Sequence, residues 1–101
     1  MRMLLQVKIP NEPFNSLVKQ GTAGAKLQRI LEELKPEAAY FTELEGKRGA
    51  ILIVNLPDPS KVPSLAEPFF LTFNATCELR VVMSAEDLGK AGIDEIGKKW
   101  S

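Results

Sequence analysis

The stretch from Ala75 to Met83, A-T-C-E-L-R-V-V-M, alternates in character. Ala75, Cys77, Leu79, Val81 and Met83 project one way. Thr76, Glu78, Arg80 and Val82 project the other. Successive side chains of a strand point to opposite faces, so this period of two predicts a β-strand with one buried face and one different face. The different face carries Glu78 and Arg80, opposite charges two residues apart. A strand of this kind is not stable alone, so the rest of the chain must bring further strands beside it and a layer over its apolar side.

The 101 residues suit one domain, residues 1–101. A chain of this length buries roughly 60–65% of its unfolded surface, enough for one core without metals or disulfides. Its 13 Lys and Arg balance its 13 Asp and Glu, so net charge draws it neither to nucleic acid nor to an anionic membrane, and neither partner is expected. There is no histidine. That excludes Ser-His and Cys-His nucleophile pairs, the commonest general base and most zinc sites. The single cysteine, Cys77, cannot form an internal disulfide. The N-terminal apolar run is short and interrupted by Gln6 and Lys8, unlike a signal peptide. A cytoplasmic location is the expectation.

Met3, Leu5, Val7 and Ile9 alternate with Leu4, Gln6 and Lys8, which predicts a first strand ended by Pro10. A helical region from about Phe14 to Lys35 follows, interrupted at Gly21-Thr22-Ala23-Gly24. Thr22 is placed to cap its second part, in which Leu27, Ile30, Leu31 and Leu34 form an apolar stripe. The glycine segment lacks the phosphate-loop spacing and reads as a helix break. Ala38–Glu45 and Gly49–Leu56 predict a β-hairpin around Gly46, with a two-residue turn at Gly46-Lys47. Asp58 and Pro59 open a further helix to about Phe73, in which Pro68 predicts a kink. Leu65, Phe69 and Phe73 are spaced to face a core. Ser84-Ala85-Glu86-Asp87 has the form of a capping box before a short helix at Leu88, and Ile93 to Trp100 predicts one or two closing turns.

The order strand, helix, strand, strand, helix, strand is that of a split βαβ, ferredoxin-like α+β fold. It predicts a four-stranded antiparallel sheet with two helices on one face and a short C-terminal helical tail. The first and third strands take the centre, with the last beside the first. The Met3/Leu5/Val7/Ile9 and Cys77/Leu79/Val81/Met83 sets are expected under the helices. The other face holds Leu4, Gln6, Lys8, Thr76, Glu78, Arg80 and Val82. The hairpin adds either Tyr40, Thr42, Leu44, Ile51 and Ile53, or Phe41, Glu43, Ala50, Leu52 and Val54. Both sets contain large apolar residues. A bare face of that composition is expected to pair with a second copy of the chain.

The strand faces, with the stretches T-A-G-A-K-L-Q-R-I-L, A-A-Y-F-T-E-L-E-G-K-R-G-A-I-L-I-V and A-E-P-F-F-L-T-F-N-A, resemble a small bacterial branch of the dimeric α/β-barrel proteins. The resemblance spans about Met3 to Met83. It implies a homodimer whose two sheets enclose a cleft. Members of that class include cofactor-free monooxygenases, muconolactone-isomerase-like enzymes, haem-degrading enzymes and stress-response proteins. This chain has no His and so lacks the usual haem ligand and His acid/base of the class. No cofactor or metal is expected.

Gln6, Lys8, Tyr40, Thr76, Glu78 and Arg80 are the candidate cleft residues. In a closed cleft, Glu78 and Arg80 beside Lys8 and Gln6 suit a carboxylate or phenolate and a proton shift. The same charges equally suit an ion-pair network that fixes register. Tyr40 either bonds a ligand or packs under the helices, and Asn74 suits a turn or strand entry, or with Thr76 anchors a ligand at the cleft mouth. Trp100 packs on the partner subunit or lies exposed. Two functions follow. One is a homodimeric module that binds a small organic ligand or mediates an interaction. The other is a cofactor-independent isomerase or monooxygenase acting on a small organic acid or aromatic.

Overall fold

The alternation produces the strands expected of it. In the computed structural model, which describes residues 1–101, Arg2–Ile9 forms β1. Met3, Leu5, Val7 and Ile9 are buried, and the residues between them are partly exposed. Two helices follow, α1 (Asn11–Gln20) and α2 (Ala23–Leu34). Gly21 separates them in the left-handed region at φ 76°, and its N–H bonds the Val18 carbonyl to close α1. Gly24 lies inside α2, so the break is shorter than the glycine pattern suggests. Thr22 precedes α2, but its hydroxyl turns back toward the Leu17 carbonyl instead of capping the new helix.

The hairpin comprises β2 (Ala38–Leu44) and β3 (Lys47–Asn55). Its turn is Glu45-Gly46, one residue earlier than expected. Both turn residues have positive φ, 52° and 77°, as the twist of a two-residue hairpin requires. The Glu43 carboxylate accepts from the Gly46 N–H at 2.8 Å. The pairing therefore moves by two residues, with Leu44 opposite Lys47. A shift of two keeps every side chain on its predicted face.

Asp58 caps a single 3₁₀ turn, Pro59–Lys61, by accepting from the Ser60 N–H. The helix α3 (Val62–Phe73) follows and runs unbroken through Pro68. Asn74, at φ 56°, closes α3 in a left-handed cap, which accounts for that residue as a turn. The last strand, β4 (Thr76–Val81), leads to α4 (Ala85–Lys90) and α5 (Ile93–Lys99). The capping box at α4 is present: Asp87 N–H donates to the Ser84 hydroxyl and Ser84 N–H to the Asp87 carboxylate.

The four strands form one antiparallel sheet in the order β2-β3-β1-β4. This is the ferredoxin-like βαββαβ arrangement, with the first crossover split into two helices. The core lies between one face of the sheet and the helix layer. Leu5, Val7, Leu52, Val54, Phe69 and Phe73 are fully buried there, each contributing about 1.5–3 kcal/mol by leaving water. The Phe14 and Phe73 rings meet at 5.0 Å, and Arg48 covers Phe14 from outside. Of the apolar set on β4, Cys77 and Leu79 pack against this core. Val81 and Met83 do not: they are 60% and 64% exposed. β4 is an edge strand that ends at Val81, and the helix layer does not cover its C-terminal end.

Candidate functional site

The opposite face of the sheet has no layer over it. Parity in β2 and β3 settles which hairpin set lies there: Tyr40, Thr42, Leu44, Ile51 and Ile53. The register arranges this face in rows. Tyr40, Ile51, Gln6 and Glu78 lie in one row across all four strands. Ala38, Ile53, Leu4 and Arg80 form the row on one side, and Thr42, Gly49, Lys8 and Thr76 the row on the other. The six residues singled out from the sequence therefore share one surface. The face is also divided. Its β2–β3 half is mainly apolar, with Ala38, Tyr40, Leu44, Ile51 and Ile53. Its β1–β4 half holds Gln6, Lys8, Thr76, Glu78 and Arg80.

A depression of about 270 Å³ lies on the polar half, lined by Gln6, Lys8, Leu44, Glu45, Thr76 and Glu78. It brings together four of the six candidates. Tyr40 lies two strands from Gln6, a lateral separation of about 10 Å. Arg80 lies one row away and donates to Glu78 at 2.7 Å. Lys8 reaches the Glu45 carboxylate at 3.5 Å. These two ion pairs join exposed or half-exposed side chains, so each is worth about 0–1 kcal/mol and is readily exchanged for a ligand contact. A flat hydroxyl-bearing or carboxylate-bearing molecule would meet two cations, an amide, a hydroxyl and two carboxylates within this area.

Leu44 and Glu45 were not among the residues expected to form the site. Gly49 is the signal that places Leu44. A Cβ on Gly49 would stand 2.5 Å from Leu44 Cγ, so the missing side chain is what lets Leu44 fold over β3 and wall the depression. Glu45 enters because the turn begins one residue earlier than expected.

A larger hollow of about 560 Å³ lies at the other end of the molecule, near Arg2, Glu37, Val81, Met83 and Asp87. Of its charged groups, Arg2, Glu37 and Asp87 already have partners, and Lys35 has none. Arg2 bonds Glu37 at 2.8 Å, and that bond raises the guanidinium pKa further. The Ser84 backbone and hydroxyl bonds hold the Asp87 carboxyl below its ordinary value. Cys77 lies half-buried on the covered side of β4, and burial pushes its thiol up to about 11. It is a packing residue with little thiolate near neutrality. No group of three or more Cys, Asp or Glu side chains is arranged to hold a metal ion, and no helix is long and apolar enough to cross a membrane.

No protein-family model matches the sequence, and no curated protein matches it. Solved structures do. The 5-chloro-2-hydroxyhydroquinone dehydrochlorinase of Burkholderia phenoliruptrix, in complex with 2,5-dihydroxybenzoquinone, is similar at a TM-score of 0.60 and 19% identity. The match covers 85% of this chain and 97% of that one. A formyltetrahydrofolate deformylase from Pseudomonas putida matches at a TM-score of 0.49 and 16% identity, over 81% of this chain but 29% of that one. A de novo designed protein matches at 0.47 and 9% identity, over 80% of this chain and 85% of that one. The first of these likenesses is one of fold: the chain carries the same α+β architecture, over nearly its whole length, as a protein solved with a quinone bound.

Proposed function

We propose that this chain binds a small organic molecule bearing an anionic oxygen, a carboxylate or phenolate, on the polar half of its open sheet. A second copy of the chain completes the site by covering the open face. The observation that carries this reading is the gathering of Gln6, Lys8, Thr76 and Glu78 around one depression, with Arg80 beside them, on a face that nothing in the chain covers. Lys8 and Arg80 would take the anionic oxygen. Gln6 and Thr76 would bond its polar substituents, and Tyr40 would close the apolar side. No cofactor is needed for such binding. A reducing cytoplasm suits the lone thiol of Cys77.

A second reading is a cofactor-independent isomerase or monooxygenase at the same place. What favours it is that the dehydrochlorinase of similar fold is an enzyme solved with 2,5-dihydroxybenzoquinone, and that the Glu78 carboxylate lines the depression beside Lys8.

Calorimetric titration with 2,5-dihydroxybenzoquinone and with benzoate tests the binding. Replacement of Lys8 or Arg80 by Ala is expected to weaken the tighter ligand about tenfold or more, as for loss of a charge-assisted hydrogen bond. Absence of binding by either probe at millimolar concentration, or affinity unchanged in both variants, sinks the proposal. Ligand that is consumed, with product detected by mass spectrometry, selects the enzymatic reading.

A further inference from the structure

The C-terminal segment stands apart from the rest of the molecule. The radius of gyration is 17.0 Å, where a globular chain of this length has about 13 Å. The longest extent, 59 Å, is about twice the next, 28 Å. Every residue from Ala85 to Ser101 is exposed. Yet this arm is not built as a polar tail. In α5, Ile93 and Ile96 sit on one side with Trp100 at the next turn, and they are 54%, 52% and 77% exposed. Leu88 continues the apolar character into α4. The helices are also well ended, α4 by its capping box and α5 by acids in its first turn and lysines in its last, which the helix dipole favours at each end. A defined amphipathic helix with its apolar side in water calls for a partner.

We propose that the arm of one copy lies across the apolar half of the open sheet of a second copy, so that Ile93, Ile96 and Trp100 cover Tyr40, Ile51 and Ile53. The inference rests on the two-copy reading above and names the part of the second copy that does the covering. Three observations converge on it. The first is chemical match. On the β2–β3 half of the sheet Tyr40 is exposed and Ile51 and Ile53 are partly exposed, and on the arm Ile93, Ile96 and Trp100 are exposed, so each offers apolar surface that the other can cover. The second is area. Four strands about 4.8 Å apart and six to nine residues long give a face of about 500 Å², short of the roughly 800 Å² per partner of a stable interface. A sheet contact alone is therefore too small, and exchanged arms, exposed along their whole length, supply further surface on both partners. The third is length. α5 with Trp100, set off from α4 by the left-handed Gly92, spans about 11 Å at helical rise, about the width of the two strands β2 and β3 that it covers. An anionic membrane is the poorer match, because the arm sets Glu86, Asp87, Asp94 and Glu95 against only Lys90, Lys98 and Lys99.

Exchanged arms give the site two sources. Lys8, Thr76, Glu78 and Arg80 come from one copy, and the wall over Tyr40, with Trp100 in it, comes from the other. The apolar half is then filled by protein and the polar half left as the cleft.

Trp100 is the single tryptophan, so its fluorescence reports the arm alone. Light scattering and emission are followed over a dilution series of the full chain, of an Ile93→Asp/Ile96→Asp variant and of an Ile51→Lys/Ile53→Lys variant. The wild-type chain is expected to be a dimer with blue-shifted emission that moves red on dilution. Both variants are expected to weaken dimerisation at least 100-fold and to show the emission of exposed indole throughout. Ile93 and Ile96 are solvent-facing within one copy, so unchanged circular dichroism shows that the arm variant has folded.

A monomeric wild-type chain overturns the proposal, as does an arm variant that dimerises as tightly as wild type. An arm variant that is monomeric beside a sheet variant that still dimerises overturns the assignment of the sheet as the docking surface. The ligand titration fails separately. An arm-dependent dimer that binds no probe removes the ligand reading and supports this one. A dimer that binds ligand and ignores the arm substitutions removes this one and leaves the ligand reading.

Discussion

The two faces of the sheet are made by the same four strands and meet opposite fates. On one face Leu5, Val7, Leu52 and Val54 are fully buried under Phe69 and Phe73, and no polar side chain is buried with them. On the other, Leu4, Ile51 and Ile53 remain partly exposed and Tyr40 is 65% exposed, beside Lys8, Glu78 and Arg80. One residue of displacement along a strand separates the two environments. The first face is complete within one chain, so its composition explains the fold. The second has no cover within the chain, and its composition is what the proposed second copy and ligand are called on to explain.

The largest expected effect tests whether stability really resides on one face. Phe69→Ala empties a fully buried site and is expected to cost about 3–5 kcal/mol in urea unfolding. Tyr40→Ala, measured at dilutions where the chain is monomeric, is expected to cost less than about 1 kcal/mol, because its ring is mostly in water already. Comparable costs would mean that the open face is not open in solution. The next effect concerns the one place where the open face has internal packing. Gly49→Val would drive a side chain into Leu44 and is expected to cost about 1–3 kcal/mol. Gly49→Val together with Leu44→Ala should recover most of that loss; no recovery would show that the cost lies in the strand backbone and not in Leu44.

The same asymmetry governs what was legible in the sequence. Alternation in Met3–Ile9 and the helical stripe of Leu27, Ile30, Leu31 and Leu34 report burial within the chain, and from these the element order and the sheet order followed. The capping box at Ser84 was equally plain, because Ser and Asp three residues apart satisfy backbone donors whatever surrounds them. The choice between hairpin faces was not legible, since Tyr40/Ile51/Ile53 and Phe41/Leu52/Val54 are equally apolar. The turn was misplaced by one residue because Glu45 adopts a positive φ that is usually left to Gly or Asn. Pro68 was expected to kink or interrupt its helix, and α3 continues through it without interruption. Val81 and Met83 continue the alternation past the point where the helices stop covering it, so parity overstated the core. For the site, parity put Gln6, Lys8, Thr76, Glu78 and Arg80 on one surface and left the face of Tyr40 open, as it did for the whole hairpin. Parity carries no information on what lies above that surface.

Cys77 sits between the two regimes, on the covered face but at the edge strand. Its pKa is raised from 9.0 to about 11 by burial, so folding favours the neutral thiol. That contribution is whole below the ordinary thiol range and is lost as pH rises through about 11. Near pH 8 the thiolate fraction is then about 100-fold lower in the folded chain than in the unfolded one. Alkylation by iodoacetamide is expected to be slower by about that factor until urea unfolds the protein. Equal rates in folded and unfolded chain would place Cys77 with the open face.

The smallest expected effect on stability is at the Glu78–Arg80 pair, and it sharpens the comparison furthest. The two side chains are 58–60% exposed and bonded at 2.7 Å. A double-mutant cycle through Glu78→Gln and Arg80→Ala should give a coupling of about 0–1 kcal/mol in the folded monomer, screened further by salt. The same pair drawn beneath a second copy would leave bulk water, and a lone charge left there by either single substitution becomes costly. The coupling is therefore expected to rise with protein concentration as the dimer forms, and to fall again when a ligand anion takes Arg80 from Glu78. A coupling that is small at every concentration, with ligand or without, would mark the pair as a solvated surface contact. The polar half of the sheet would then be ordinary surface, whatever the apolar half binds.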